Sequence, residues 1–175
     1  MYNPVVGGSQ NVTCRCGDIE LRIEGPPIAH VCCYCDDCQA AARLVDAMPN
    51  GRSGILDDAG TPNVLFRRDQ LRFVRGMEKL DEFRVRNDSK TIRLVARCCN
   101  TAITQRHEQG WPHRGVKAHL IPSPPALEMR IYTRFAPDPA RVPRDVPIKR
   151  GPGLTLVWRL LRAKLALGRT PLLEP

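Results

Sequence analysis

The feature that most constrains this chain is the spacing of its eight cysteines, which fall in three separate clusters. Cysteines that stand one or two residues apart rarely reach disulfide geometry, whereas their thiolates can surround one soft cation. Three clusters indicate either two metal sites or one site with spare thiols, and zinc is the expected metal. The clusters are a C-x-C pair, a central run and an adjacent pair: Cys14 and Cys16; Cys32, Cys33, Cys35 and Cys38; Cys98 and Cys99.

Length and composition favour one domain that metal helps to stabilise. The chain has 175 residues, which is enough for one domain with a tail and too few for two domains that each bury a core of the usual size. Aromatic residues make up 5% of the sequence, so metal that ties distant segments together would supplement a thin core. We find no signal segment and no apolar run of the ~20 residues that a membrane span requires. We therefore expect a cytoplasmic protein, in which clustered thiols stay reduced.

The formal net charge of +9 raises the question of an anionic partner. The arginines are scattered along strand-like segments and lack interleaved aromatic residues that could stack on bases. Solvated basic faces are therefore favoured over a nucleic-acid surface. A small acidic substrate would also suit this charge.

Apolar and polar residues alternate along much of the chain, which predicts a mainly β fold. A helix is predicted over residues 38–45, after Asp36 or Asp37 as N-cap, and a loop over residues 49–62. The proline-rich residues 122–153 predict an extended segment rather than packed structure. Strands are predicted at residues 12–14, 19–24, 28–33, 64–66, 71–74, 80–85 and 92–96.

Residues 154–175 predict a basic amphipathic helix and a tail. Its apolar face is expected to pack on the domain or on a second subunit, and the alternative is peripheral contact with an anionic membrane. The predicted apolar face consists of Leu154, Val157, Trp158, Leu161 and Leu165. The opposite, basic face consists of Thr155, Arg159, Arg162 and Arg169.

Four motifs stand in a recognisable order over about residues 12–104. They are Cys14-x-Cys16-Gly17, Cys33-x-Cys35-x-x-Cys38-Gln39, Leu71-Arg72-Phe73-x-x-Gly76 and the cysteine pair before Thr101. Their order and spacing resemble the glutathione-dependent formaldehyde-activating enzyme family, which also includes centromere protein V. The resemblance implies a β-tent fold similar to the Mss4-like fold, with two zinc sites. It implies a structural zinc at the first and last cysteine pairs and a catalytic zinc at Cys33, Cys35 and Cys38.

The resemblance divides the chain into a zinc-binding β domain (1–121), the proline-rich segment (122–153) and the helix with its tail (154–175). The family's final motif, C-x-x-C-G, would require cysteine at Ala96 and glycine at Asn100. Adjacent cysteines seldom aim both sulfurs at one tetrahedral ion. The structural site is therefore expected to be altered, three-coordinate from this chain, or completed by Cys32. On an extended strand Cys98 would point away from Cys99, so Cys99 is expected to matter more. The alternative is that Cys98 serves as fourth ligand in place of the cysteine that is absent at Ala96.

Two functions of different classes remain open. The first is a zinc site of Cys33, Cys35 and Cys38 with an open fourth position for a substrate thiol. The resemblance then implies a carbon–sulfur lyase, similar to S-hydroxymethylglutathione synthase, that acts on a thiol adduct of a small aldehyde. The second is a closed zinc with Cys32 as fourth ligand, in a non-catalytic β module that binds a protein, membrane or nucleic-acid partner. An oligomer is compatible with both.

The histidines add little at this stage. His30 could relay a proton or bond to a metal ligand, although a histidine at a strand end is more often solvated. The other three have no metal-like spacing and are not assigned to a site: His107, His113 and His119.

Overall fold

The computed structural model describes residues 8–108 and 110–167. Within them, ten strands form two sheets, accompanied by helices α1 (Asp36–Asp46) and α2 (Leu154–Ala166). The predicted mainly β class is confirmed, with its short helix after the central cysteines and its second helix near the C-terminus. The strands are β1 (Ser9–Thr13), β2 (Glu20–Glu24), β3 (Ala29–Cys33), β4 (Thr61–Arg67), β5 (Leu71–Arg75), β6 (Leu80–Phe83), β7 (Thr91–Ala96), β8 (Thr101–His107), β9 (His113–Lys117) and β10 (Met129–Ile131).

The small sheet has the strand order β1-β2-β5, and the large sheet has the order β10-β3-β4-β9-β8-β7-β6. Every pairing is antiparallel except that of β10 with β3. One apolar cluster joins residues of both sheets, which is how the two sheets are held together. It includes Val12, Leu21 and Ile23 from the small sheet, and Val64, Phe66, Ile103 and Val116 from the large one.

Three strands depart from the sequence-based prediction. β8 and β9 were not predicted, because the outer halves of these strands carry polar residues such as Gln105 and His107 where they border a cavity. The proline-rich segment is indeed extended, but its residues Met129–Ile131 are buried as β10 beside β3. The expectation that this segment lacks packed structure is therefore wrong, while the domain boundaries at 121 and 153 stay a prediction.

Strand β3 is buried along its whole length, because it lies between β10 and β4 and is covered on both faces. Side chains alternate along a strand, so successive residues face opposite sides of the sheet. Cys33 and Val31 join one apolar cluster, with Leu65, Ile131 and Leu156. The other face belongs to a different cluster, which contains Cys32, Tyr34, Ala136 and Val142. Strand geometry thus separates the two adjacent cysteines.

Helix α1 begins directly after the central cysteines. Its N-cap is Cys35, not Asp36 or Asp37 as predicted, and both aspartates lie in the first turn, where the helix dipole favours negative charge. Cys38 lies in this first turn, as predicted, and is buried. The helix buries one face with the spacing of an amphipathic helix: Cys38, Ala41, Ala42 and Val45.

Helix α2 is formed as predicted, but its predicted apolar face does not pack on the domain. The five residues assigned to that face are exposed, with Leu154 at 89%, Trp158 at 61% and Leu165 at 79%. The helix instead packs on the domain through Leu156, Leu160 and Ala163. Leucine residues occur on more than one side of this helix, so the periodicity alone could not decide which apolar side packs on the domain.

The basic face of α2 is also partly engaged. Arg159 donates hydrogen bonds to the carboxylate of Glu128 and, over 3.2 Å, to the carbonyl of Ile28. Arg169 and the tail lie outside the described residues. In the part of the chain that the structure covers, neither helix has the length and apolar character needed to cross a membrane.

Candidate metal centres

The first and last cysteine pairs meet through two turns. The turn between β1 and β2 carries Cys14 and Cys16, and Gly17 follows in the left-handed region at φ +82°. Residues 97–100 form a turn between β7 and β8, closed by a 2.7 Å hydrogen bond from Asn100 N–H to the carbonyl of Ala96. Asn100 adopts φ +51°, a conformation that asparagine tolerates better than most residues.

The vicinal cysteines therefore lie in a turn, and the expectation that they lie on an extended strand is wrong. A turn changes direction at each residue, so both sulfurs can face the same point. Cys98 Sγ lies 3.8 Å from Cys14 Sγ and 3.2 Å from Cys16 Sγ, and 3.9 Å from Cys99 Sγ. The geometry brings both vicinal cysteines to one site, so this site is altered from the family motif and is neither three-coordinate from this chain nor completed by Cys32.

These four sulfurs fit a tetrahedral zinc site. All four lie within 4.8 Å of one another, and Cys14 Sγ lies 3.4 Å from Cys16 Sγ. Thiolates bound to zinc at about 2.3 Å stand about 3.8 Å apart at the corners of a tetrahedron. Four thiolates fill the coordination of a structural zinc, so this cluster, the four-thiol centre, is closed.

The surroundings of the four-thiol centre favour negative charge on one of its sulfurs, that of Cys99, whereas the pKa values of Cys14 and Cys98 are raised, first by burial. Ile19 N–H donates a 3.3 Å hydrogen bond to Cys14 Sγ, although burial keeps the pKa of that thiol above its usual value. Burial also acts to raise the pKa of Cys99. Hydrogen bonds from Thr101 Oγ1, at 3.1 Å, and from Cys16 outweigh it and lower that pKa to about 6. The thiolate form of Cys99 is therefore favoured at neutral pH in the absence of a metal ion.

The central run forms a second cluster from one short stretch of chain. Cys33 ends β3, Cys35 caps α1, and Cys38 lies in the first turn of that helix. Cys33 Sγ lies 3.4 Å from Cys35 Sγ, and the three sulfurs lie within 4.8 Å of one another. Among the described histidines, cysteines and acidic residues, no fourth ligand joins this three-thiol centre.

Cys32 is not part of the three-thiol centre. Its side chain lies on the opposite face of β3, against Gly60, where an added Cβ would come within 2.5 Å of the sulfur. Burial raises the pKa of this thiol to about 11, so it is neutral. The alternatives that used Cys32 as a ligand, of either centre, are therefore contradicted by its position.

The three-thiol centre has an anionic character that nearby cations balance. Cys38 Sγ accepts hydrogen bonds from Cys33 and Cys35, which hold the pKa of Cys38 well below its usual range. Lys117 and Arg93 lower it further. Three thiolates on a divalent ion leave one net negative charge, which these two cations offset.

The three-thiol centre opens into a cavity of about 820 Å³, which the four-thiol centre does not border. Strands β3 and β4 form its floor and α2 forms one wall. The opposite wall is aromatic and comes from the β8–β9 hairpin, where the rings of His107, Trp111 and His113 have centroids 5.3 to 6.0 Å apart. The cavity gives the missing fourth position of the three-thiol centre access to a small molecule.

Sequence reasoning missed two histidines and one asparagine that line this cavity. Burial lowers the pKa of His107 and lowers that of His113 to about 4, so both rings are neutral at pH 7. Asn63 donates a 2.8 Å hydrogen bond to the carbonyl of Thr61, while its buried Oδ1 has no partner among the described residues. His107 and His113 stand on two adjacent strands, so hairpin pairing rather than spacing is the signal that groups them.

The remaining two histidines lie away from the cavity. His30 is buried, and its Nδ1 lies 2.7 Å from the carbonyl oxygen of Pro125, so the expectation that it is solvated is wrong. It stands two residues from Cys32 on β3 and therefore shares the face that points away from the three-thiol centre. His119 packs beside Gly54, and burial lowers its pKa to about 4.

Comparison with known proteins agrees with the cysteine pattern. No curated protein matches the sequence. A crystal structure of a Rhodobacter sphaeroides protein aligns with a TM-score of 0.48 at 18% identity, over 79% of this chain and 98% of that chain. The family described as "Glutathione-dependent formaldehyde-activating enzyme" (GFA) matches residues 9–48, which hold the first C-x-C pair, the central run and α1. This part of the chain is therefore similar to the GFA family.

Proposed function

We propose that this protein is a zinc enzyme of the carbon–sulfur lyase class, which makes and breaks the adduct between a thiol and a small aldehyde. The observation that carries the proposal is the three-thiol centre, which lacks a fourth protein ligand among the described residues and opens into a cavity. A structural zinc site is normally closed, whereas a catalytic one keeps a position free. The four-thiol centre would hold the structural zinc.

The proposed reaction is an addition that can run in both directions. The thiol loses its proton, its sulfur forms a bond to the carbonyl carbon, and the carbonyl π bond breaks. The proton finally resides on the former carbonyl oxygen, which gives an S-hydroxyalkyl adduct with no atom gained or lost. A zinc ion held by Cys33, Cys35 and Cys38 would take the substrate sulfur as a thiolate and lower the pKa of that thiol.

Residues of this chain supply the remaining functions. Asn63 faces Val31 across the sheet, two pairs along from the pair of Cys33 with Thr61, so it shares the face of the sheet with Cys33. It lines the cavity, and its buried Oδ1 has no partner among the described residues. The hydroxyl of the adduct would donate to this oxygen, which removes the cost of a buried unpaired acceptor. His107 and His113, being neutral, each offer one ring nitrogen that can accept a proton.

The experiment measures exchange between free and thiol-bound [¹³C]formaldehyde by NMR magnetisation transfer, with glutathione as the first thiol. The zinc-loaded protein is expected to raise the exchange rate above that of the uncatalysed mixture. Cys33→Ser should abolish the increase. Cys32→Ser is the matched control, because it removes the neighbouring thiol on the opposite face of β3 and should keep the activity. No increase with any thiol would contradict the proposal.

The second candidate is a module that binds a partner through α2. The observation that favours it is the outward stripe of this helix, in which Leu154, Trp158 and Leu165 are well exposed. A protein that binds anionic vesicles, or that forms a dimer lost on Trp158→Ser, and shows no exchange activity would favour this candidate.

Reduced thiols in both centres suit a reducing compartment such as the cytoplasm, which we propose as the location.

A further inference from the structure

The cavity beside the three-thiol centre is mainly apolar, and α2 is responsible for much of that character. The floor contributes Val31, Leu65 and Ile131, all of them buried. Helix α2 adds a strip of side chains that also line the cavity, and this strip consists of Leu156, Val157, Leu160 and Leu161. Only a ligand with substantial apolar surface gains from contact with both.

The two arginines that line the cavity, Arg86 and Arg93, are already engaged with the protein. Arg86 forms ion pairs with Asp37, at 2.6 Å, and with Asp88, at 3.4 Å. Arg93 donates to the carbonyls of Thr91, at 3.2 Å, and of Asp37, at 3.0 Å. A multiply charged thiol would lose hydration here without gaining a comparable partner.

The other polar groups of the cavity suit a neutral ligand. Lys164 is exposed at the mouth, where a charge on the ligand would stay in water. His107 and His113 are uncharged, and Asn63 offers one acceptor oxygen. Asn63, His107 and His113 can bind a hydroxyl, whereas Lys164 is a single exposed cation for the two carboxylates of a peptide thiol such as glutathione.

We infer that the cavity selects thiols whose organic part is apolar, namely alkyl or arylalkyl thiols, over multiply charged peptide thiols. This inference rests on the proposed function, because it names the substrate class of the same site. The thiol sulfur would lie at the three-thiol centre and its apolar chain along α2. A volume of about 820 Å³ lies within the range of cavities that bind organic molecules of drug size.

The test is a calorimetric titration of the zinc-loaded protein with a ladder of thiols. The probes are 1-butanethiol, 1-hexanethiol, 2-phenylethanethiol, cysteine and glutathione. Each methylene buried should tighten binding about fourfold, so 1-hexanethiol should bind about 16-fold tighter than 1-butanethiol. It should also bind tighter than glutathione. A ladder without slope, or tighter binding of glutathione, overturns the inference and leaves the proposed function intact. If none of the thiols binds, both fail.

Variants of α2 test whether the selectivity for apolar thiols comes from the side chains of this helix that line the cavity. Leu160→Ala removes a side chain that lines the cavity and should weaken 1-hexanethiol binding about fivefold or more, with little effect on cysteine. Leu161→Asn is the second variant, because Leu161 lines the cavity yet is half exposed, so this replacement is expected to preserve the fold and to weaken 1-hexanethiol binding. Leu165→Ala is the matched control on the same helix, 79% exposed and outside the cavity. Equal effects of Leu160→Ala on both ligands would overturn the inference.

Discussion

The two thiol centres differ in where their sulfurs come from. The four-thiol centre joins turns that lie more than 80 residues apart, since Cys16 meets Cys98 across 82 positions. The three-thiol centre comes from one stretch, Cys33 to Cys38, that ends a strand and starts a helix. A metal that joins distant segments removes many conformations of the unfolded chain, whereas a metal within one stretch removes few.

The same contrast indicates which thiol centre supports the fold and which one can bind a ligand. Two turns can each contribute two sulfurs from opposite sides and so enclose an ion completely. A strand end and a helix start approach an ion from one side only, because the three thiols belong to six consecutive residues. The other side of the three-thiol centre is left to the cavity. We therefore expect metal loss from the four-thiol centre to affect folding and metal loss from the three-thiol centre to affect ligand binding.

The largest expected effect is that of metal removal. A strong chelator should remove two zinc ions per chain, and the cooperative unfolding transition should disappear. The binding energy of a structural zinc, about 10–16 kcal/mol, is comparable with the total stability of a domain of about 5–15 kcal/mol. Metal analysis and differential scanning calorimetry measure both quantities. An unchanged melting curve of the metal-free protein would show that neither centre supports the fold.

The next effect concerns the vicinal cysteines of the four-thiol centre. Cys98→Ser and Cys99→Ser should each lower the zinc content by one ion and destabilise the protein by about 4 kcal/mol or more, because each removes one of four sulfurs. Zinc analysis with urea unfolding checks this. Cys14→Ser is the reference for a lost ligand of the same centre. A mild effect of Cys98→Ser beside a severe effect of Cys99→Ser would mean that only three sulfurs bind.

Much of this comparison follows from the sequence. Cysteine spacing identified the three clusters. The short strand predicted over residues 28–33 placed Cys33 at a strand end, and the helix-forming residues after Asp36 and Asp37 placed Cys38 at the start of a helix. These are local features, set by neighbours within a few residues. The convergence of Cys98 and Cys99 was not predictable in this way. It depends on the turn at residues 97–100, which ends with Asn100 in the left-handed region that glycine more often occupies.

The cavity could not be predicted, because it arises from segments far apart in the chain. His107 and His113 come together through pairing of β8 and β9, and Asn63 joins them from β4. The orientation of α2 was mispredicted for a related reason. Its sequence carries two apolar stripes, and only the shape of the domain decides that Leu156 and Leu160 face inward.

A smaller effect on stability is expected at the three-thiol centre. Cys33→Ser should remove the second zinc and the affinity for thiols, yet lower the stability by only about 1–3 kcal/mol, because β3 keeps its hydrogen bonds to β4 and β10. Zinc analysis and thermal unfolding of the purified variant provide the measurement. A loss of stability as large as that of Cys14→Ser would show that this centre also supports the fold.

The smallest effect should come from Cys32, the cysteine that the two centres leave unused. Cys32→Ala is expected to keep two zinc ions per chain and to lower stability by about 1 kcal/mol, because it removes one fully buried sulfur from an apolar cluster. In a chain of this length that change corresponds to about 2–4 °C in Tm. Serine at this position is a stricter probe, since its hydroxyl would be buried near Tyr34. Loss of one zinc ion from either variant would place Cys32 among the ligands and would close the three-thiol centre to any substrate.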